Sequence, residues 1–423
     1  MHLRYFLVLV IAALPMLSAY ASEDMPDWNT TTLTGDWGGV RSAQFQNGFI
    51  WSFTHKSDFL ANLSGGIRRG ANWMGYTEGG VRMELDKLLG WDSTLAYIHL
   101  HSELGTQFNQ KYVGSYIGMD NIETAANTVQ FNHIWLQKNL SADSFSILTG
   151  LYAIDSEFYV TDTSGVFIQP PYGMANDMAQ SGVNGPPIYP MGALALRLKY
   201  TSHDGGFYSQ YALTDGVPGD PDYPRGTHLQ LNSGDGTLSI IEFGYTPQAQ
   251  SLPGDKGKAA EPVETFNKTA LGYWRYSARF SDIDTSIPES HHDAGVYVLT
   301  ERSLIQESDH PSQGLAGFFR FGTASRNLHQ SDWSSSLGLR YHGILENRDD
   351  DIAGIAVTYN HTSDKYRLIN NAESGQVQYE ATYRAQVKPW FVLQPSLQYI
   401  VNPNMDPSLD NSWNAVVRVE IAL

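Results

Sequence analysis

The chain contains no cysteine. Disulfide frameworks, thiolate zinc sites and cysteine nucleophiles are excluded together. Charge is also thin: Asp, Glu, Lys and Arg make up 17% of the 423 residues, against roughly 25% in an ordinary soluble protein. Uncharged polar residues and aromatics take their place. Beyond residue 21 no apolar run approaches the length of a membrane-spanning helix, so integration into a bilayer by helices is excluded. Basic residues are outnumbered, 27 against 44, for a net charge of −17. Such a balance opposes contact with phosphate backbones, and nucleic acid is not an expected partner. Gly and Pro are near ordinary usage, which excludes collagen-like and disordered chains.

Aromatic residues, by contrast, reach 12%, with 24 Tyr and 10 Trp. These side chains suit a boundary between water and lipid. The amino terminus points the same way. Met1 to Arg4 form a short basic head, Tyr5 to Leu14 an apolar stretch, and Ala19-Tyr20-Ala21 a small-x-small site. This is the pattern of a secretory signal peptide over residues 1–21, cleaved after Ala21. Pro15 ends the apolar stretch too early for an anchor. Losing Arg4 and no acid moves the net charge from −17 to −18.

The mature chain, 22–423, alternates with period two. In Gln376 to Arg384, Val377, Tyr379, Ala381 and Tyr383 share one face and Gln378, Glu380, Thr382 and Arg384 the other. That is a strand. Ala193–Tyr200, Leu315–Thr323, Ser336–His342 and Ala353–Asn360 repeat the pattern, with Arg197, Arg320 and Arg340 on the polar faces. A soluble sandwich alternates too. Here the polar faces carry single Arg, Gln, Thr and Ser, and aromatics gather at segment ends, as in Tyr273-Trp274-Arg275-Tyr276 and Lys388-Pro389-Trp390-Phe391. Both features favour an all-β, antiparallel transmembrane barrel with an aromatic girdle. About 16 strands allow roughly 25 residues for each strand and its connection.

His203-Asp204-Gly205-Gly206 and Leu89-Gly90-Trp91-Asp92 read as tight turns. Asp215–Asp235 and Thr246–Lys268 read as long loops on the opposite side. His291-His292-Asp293 and Asp349-Asp350-Asp351 also read as loop, the latter a solvated one. Phe158–Pro190 is different: its prolines and glycines forbid regular structure, yet Val166, Phe167, Ile168, Tyr172, Ile188 and Tyr189 need shelter. A segment that long and apolar is expected to fold into the barrel as a constriction loop.

Leu33-Thr34-Gly35-Asp36-Trp37-Gly38-Gly39-Val40-Arg41 resembles the opening motif of the OprB family of carbohydrate-selective porins. Asn62-Leu63-Ser64-Gly65-Gly66-Ile67-Arg68-Arg69-Gly70 resembles the family's Gly-Gly-x-basic-x-Gly stretch, and Leu85–Trp91 its strand-ending region. Leu148-Thr149-Gly150-Leu151-Tyr152 with Asp155-Ser156-Glu157-Phe158 is similar to the segment before the family's pore-narrowing loop, and Leu393–Pro403 to its penultimate strand. The resemblance implies a 16-stranded barrel in a Gram-negative outer membrane that passes sugars by diffusion through a narrowed pore. It implies a periplasmic amino-terminal segment over 22–48, carbohydrate solutes and outer-membrane lipid and lipopolysaccharide as partners, and no cofactor. Self-association is left open. Two departures stand out: the last residue is Leu423 rather than an aromatic, and the constriction region has none of the cysteines that some members carry.

A sugar offers hydroxyls and weakly apolar ring faces, so a passing site needs fork-like donors, carboxylate acceptors and aromatic platforms. Arg82 and Glu84 lie opposite the apolar face of their strand, hence toward the lumen. His99, His101 and Glu103 follow on the next strand, and Arg197 and Arg340 are further pore-lining candidates. Tyr172 and Tyr189 are candidate platforms, with Trp135 beside His133 as a lesser one. His99, His101 and Glu103 share a face, but two histidines and a carboxylate on one extended segment rarely converge on an ion, and no metal is expected.

Other functions are a general or organic-acid-selective porin and, from another class, a barrel-borne hydrolase. The chain has no Gly-x-Ser-x-Gly and no compact Ser, His and acid grouping, so no catalytic residue is nominated.

Overall fold

The computed structural model describes residues 25–423 apart from 106, 142, 248–264 and 311, so the leader expected at 1–21 lies outside the described residues. Sixteen strands form one closed sheet. They are β1 (Phe49–Gly66), β2 (Gly70–Glu84), β3 (Thr94–Leu104), β4 (Thr128–Leu140), β5 (Phe145–Tyr152) and β6 (Ala193–Thr201). Then come β7 (Phe207–Asp215), β8 (Thr237–Tyr245), β9 (Asn267–Ser281), β10 (Ser290–Gln306) and β11 (Gly314–Thr323). The last are β12 (Ser331–His342), β13 (Ile352–Thr362), β14 (Gly375–Lys388), β15 (Phe391–Val401) and β16 (Asp410–Ala422). Sequential strands pair antiparallel, and β1 meets β16 with Thr54 opposite Ala422 and Asp58 opposite Arg418. No edge remains to be satisfied in lipid. Among the described residues no helix is long and apolar enough to cross a membrane.

The barrel is inverted relative to a soluble protein. Phe59, Leu337 and Ile355 are more than half exposed on its outside, whereas Asp58, Gln376, Gln378 and Arg320 are fully buried inside. Period-two alternation produces this directly, because each one-residue step swaps faces. Outward aromatics pack together near one end, with Tyr399 stacked 4.5 Å from Trp413 and Trp333 tilted 5.2 Å from Tyr359. Of the three aromatics in the Tyr273–Tyr276 cluster, only Tyr273 belongs to that outer surface. Trp274 and Tyr276 point inward and are buried.

Connections differ between the two ends. The β4–β5, β6–β7 and β14–β15 turns are short and share an end with the start of β1 and the end of β16, while the β3–β4, β5–β6 and β7–β8 connections at the other end are long. The expected tight turn after Leu89 is preceded by a short helix, α1 (Leu85–Leu89), closed by Gly90 at φ 70. The β8–β9 connection falls, by strand parity, at the short-turn end, so the two long loops expected on one side lie at opposite ends. His291-His292-Asp293 is not loop but the start of β10. Asp351 is buried, held by Arg348 at 2.7 Å and by the Tyr383 hydroxyl, rather than solvated.

Candidate functional site

Two connections from the long-loop end fold into the barrel. The larger, residues 153–192 between β5 and β6, exceeds the expected 158–190 at both ends. Its packing follows from its sequence. Phe158, Tyr159, Ile168 and Met178 are fully buried, and Tyr159 stacks on Tyr297 of β10 at 3.8 Å. Without a regular ladder, its backbone groups bond instead to charged side chains projecting from the wall. Tyr159 N–H donates to Glu242 of β8 at 2.9 Å, and Thr163 N–H to Glu301 of β10 at 2.9 Å. Ile168 and Gln169 N–H both donate to Glu380 of β14, at 2.8 and 2.9 Å. In the opposite sense, Arg320 of β11 donates to the carbonyls of Tyr159, Tyr172 and Gly173 at 2.7 to 2.9 Å. These are charge-assisted bonds, stronger than neutral ones.

The second infolded connection, β3–β4, is one that the sequence reading did not single out. Phe108, Val113 and Met119 are buried, and Asn121 N–H donates to Ile168 O at 2.8 Å, so the two segments support each other. Arg418 of β16 joins Asp58 at 2.6 Å and Asp120 of this connection at 3.2 Å.

Between the larger segment and β6–β10 lies a cavity of about 250 Å³, lined by Glu157, Asp162, Lys199, Tyr208, Lys268 and Glu301 among others. Arg197 Nε and Lys199 Nζ contact Glu157 at 2.8 and 3.1 Å. Burial alone raises the Glu157 carboxyl, but these two cations hold it down to about 2. Lys268 donates to Val160 O at 2.8 Å, and the Tyr208 hydroxyl to Glu242 at 2.7 Å. Ammonium donors, carboxylate acceptors and the rings of Tyr208 and Phe266 therefore face a space the size of a small solute.

A family model described as "Carbohydrate-selective porin, OprB family" matches residues 68–422. The chain belongs to that family. It is an outer-membrane carbohydrate-selective porin. Porin B of Pseudomonas aeruginosa is 22% identical to it over 455 residues, covering 97% of this chain and 95% of the relative. The high-pH structure of Pseudomonas putida OprB superposes with a TM-score of 0.81 at 17% identity, covering 93% of this chain and 99% of that one. The low-pH structure of the same porin gives 0.58 at 16% identity, covering 93% and 99%.

In this OprB-family chain the opening motif has a clear task. Asp36 accepts Ser42 N–H and Oγ–H at 2.8 and 2.7 Å, starting helix α2 (Val40–Gln46). Arg41 stacks 4.0 Å over Trp37 and donates to Leu423 O at 2.7 Å. The motif fastens the amino-terminal segment to the last strand's end, where Leu423 N–H also reaches Phe53 O at 2.9 Å. The atypical terminal Leu is thus anchored through its backbone.

The nominated residues separate into three groups. Arg82 pairs in register with Tyr97, on the inward face, and Glu84 pairs with Leu95 but binds Lys87 at the barrel's terminal end. His99 contacts Glu78 at 3.0 Å and His101 contacts Glu103 at 3.1 Å. His101 and Glu103 are each 1% exposed, with Tyr189 packed 5.4 Å from His101 and 5.6 Å from Tyr76. They face inward but lie beneath the infolded segment instead of lining open space. Tyr172 is likewise covered: it is 3% exposed, packed 4.8 Å from Phe167 and 6.1 Å from Phe318, and offers no open face to a sugar. Trp135 is also buried. Arg197 positions Glu157, and Arg340 lies 4.5 Å over the Phe266 ring. Among the described residues no group of three or more His, Asp or Glu is arranged to hold a metal ion.

The reading from sequence missed Tyr208, Lys268 and Glu301. Gln210, two positions from Tyr208, marked the inward face of β7, but a tyrosine there is indistinguishable in sequence from one in an outer girdle.

Proposed function

We propose that sugars cross the barrel through the cavity beside Glu157, Lys199, Tyr208, Lys268 and Glu301, with segment 153–192 setting the narrowest section. The supporting observation is the attachment of that segment's backbone to Glu242, Glu301, Arg320 and Glu380, on four different wall strands. A loop held on so many sides narrows the lumen instead of hanging beyond it. The short-turn end, with both termini and residues 25–48, stands in the periplasm, and the long loops face outward, as in other outer-membrane barrels. The leader at 1–21 exports the chain, and the outward apolar band contacts lipid.

Neutral saccharides fit this lining better than organic acids. Glu157, Asp162 and Glu301 outnumber Lys199 and Lys268, so no surplus of positive charge awaits a dicarboxylate. The lining holds donors and acceptors for hydroxyls, bound weakly enough to be released. The protein acts as a channel without turnover of its solute.

Single-channel recording in planar bilayers tests this reading. Added sugar is expected to block current where dicarboxylates and amino acids do not, and deletion of 161–179 is expected to raise conductance and relax size discrimination. Stronger block by dicarboxylates would favour an acid-selective pore, and an unchanged conductance after deletion would place the constriction elsewhere.

A further inference from the structure

The outward row of β9 runs Thr269, Leu271, Tyr273, Arg275, Ser277, Arg279, all but the strand's inward partners being exposed. Its neighbours end their apolar band at the same level. Tyr273 lies opposite Ile241 of β8 and Val296 of β10, with Phe243 and Val298 on the other side of it toward the barrel centre. One pair further toward the long-loop end, Arg275 lies opposite Ser239 and Ala294, and Arg279 opposite His292. The surface therefore changes from hydrocarbon-compatible to basic and hydroxylated within one step of a girdle tyrosine.

Arg275 is exposed on this outer wall, and among the described residues its guanidinium has no hydrogen-bond or ionic partner. Arg279 donates from two nitrogens to Ser290 alone, leaving its charge uncompensated. An arginine on the lipid-facing side of a barrel needs an anion or water at its depth, and a guanidinium fork matches phosphate oxygens in pairs. Four positions apart on one strand face, the two side chains start about 13 Å from each other.

We propose that Arg275 and Arg279 form a ledge that binds the phosphorylated sugar head group of an outer-leaflet glycolipid. The ledge sits where the acyl region gives way to head groups, and it carries one cation for each phosphate of a bisphosphorylated disaccharide. The proposal rests on the orientation given above, in which the long loops face the cell exterior.

The full-length protein in detergent is incubated with bisphosphorylated lipid A, with the same lipid stripped of both phosphates, or with inorganic phosphate, and retained lipid is read by native mass spectrometry. The wild type is expected to retain the phosphorylated lipid, and the double variant R275Q/R279Q to retain roughly tenfold less. Arg275→Lys keeps the charge without the fork and is expected to recover part of the loss. Arg302→Gln, an outward arginine at the opposite end, is expected to change nothing. Equal retention of the dephosphorylated lipid, or retention unaffected by the double substitution, would overturn the ledge. Displacement of the lipid by millimolar inorganic phosphate would overturn the commitment to a lipid. Because the chain has no cysteine, surface labelling of Leu231→Cys on intact cells reports orientation separately. Absence of label there would overturn the orientation, and label with arginine-independent retention would overturn the ledge alone.

Discussion

Glu157 Oε2 lies 2.8 Å from Arg197 Nε, with both side chains buried where the infolded segment leaves β5. The pair fixes the start of the infolded segment against β6. Removing Arg197 leaves the buried Glu157 carboxylate with Lys199 as its remaining cation among the described residues, at a cost below the about 3 to 5 kcal/mol of a fully stranded buried charge. Arg197→Met is therefore expected to lower the temperature of heat modification and enlarge current noise, while the double variant E157Q/R197M recovers much of the loss. A double-mutant cycle showing no coupling would refute this role.

Glu380 accepts two consecutive backbone N–H groups from the segment. Glu380→Ala leaves both unpaired, each worth about 1 to 3 kcal/mol. The expected result is a larger, noisier conductance with barrel assembly preserved. Glu380→Gln, which retains one acceptor oxygen, should fall between the two.

Burial raises the carboxyls of Asp155 and Asp177, each to about 6. A raised acid binds its proton more tightly in the folded form, so seating of the segment is favoured at low pH and loses that contribution as pH rises from about 4 through 6. Glu157, held down to about 2, opposes this only in stronger acid, because its contribution is present above about 4.5 and lost as pH falls through 2. Hydrogen exchange over residues 153–192 is expected to be slower at pH 5 than at pH 7.5 after correction for intrinsic rates, and Asp177→Asn should flatten the difference. A pH-independent protection pattern in the wild type would contradict it.

Lys268 and Tyr208 share the cavity wall, with the ammonium 5.6 Å from the ring. Removing the donor with Lys268→Ala should weaken sugar block severalfold, on the order of one lost hydrogen bond to a charged group. Conductance in the absence of sugar should change little. An unaltered blocking constant would move the saccharide path to another face of the lumen.

Sequence alone determined the barrel. Period-two alternation in Gln376–Arg384 and its counterparts assigns each residue to one of two faces, and a face of Val, Leu and Tyr against one of Gln, Glu and Arg can be satisfied in lipid only by a closed sheet. The shelter required by Val166, Phe167 and Ile168 likewise placed their segment inside, since apolar surface among prolines has no strand to join. The tertiary structure decided what the inward polar residues do. Glu380, Arg320 and Arg197 were legible as lumen-facing, but only the threading of residues 153–192 past them reveals that they hold that segment, the first two by its backbone and Arg197 by the Glu157 carboxylate. His101 shows the same limit: alternation reports the side of a wall and is blind to a second layer laid over it. That layer is built from contacts between residues more than a hundred positions apart, such as Thr163 with Glu301 and Ile168 with Glu380, whose proximity has no local signature in the chain.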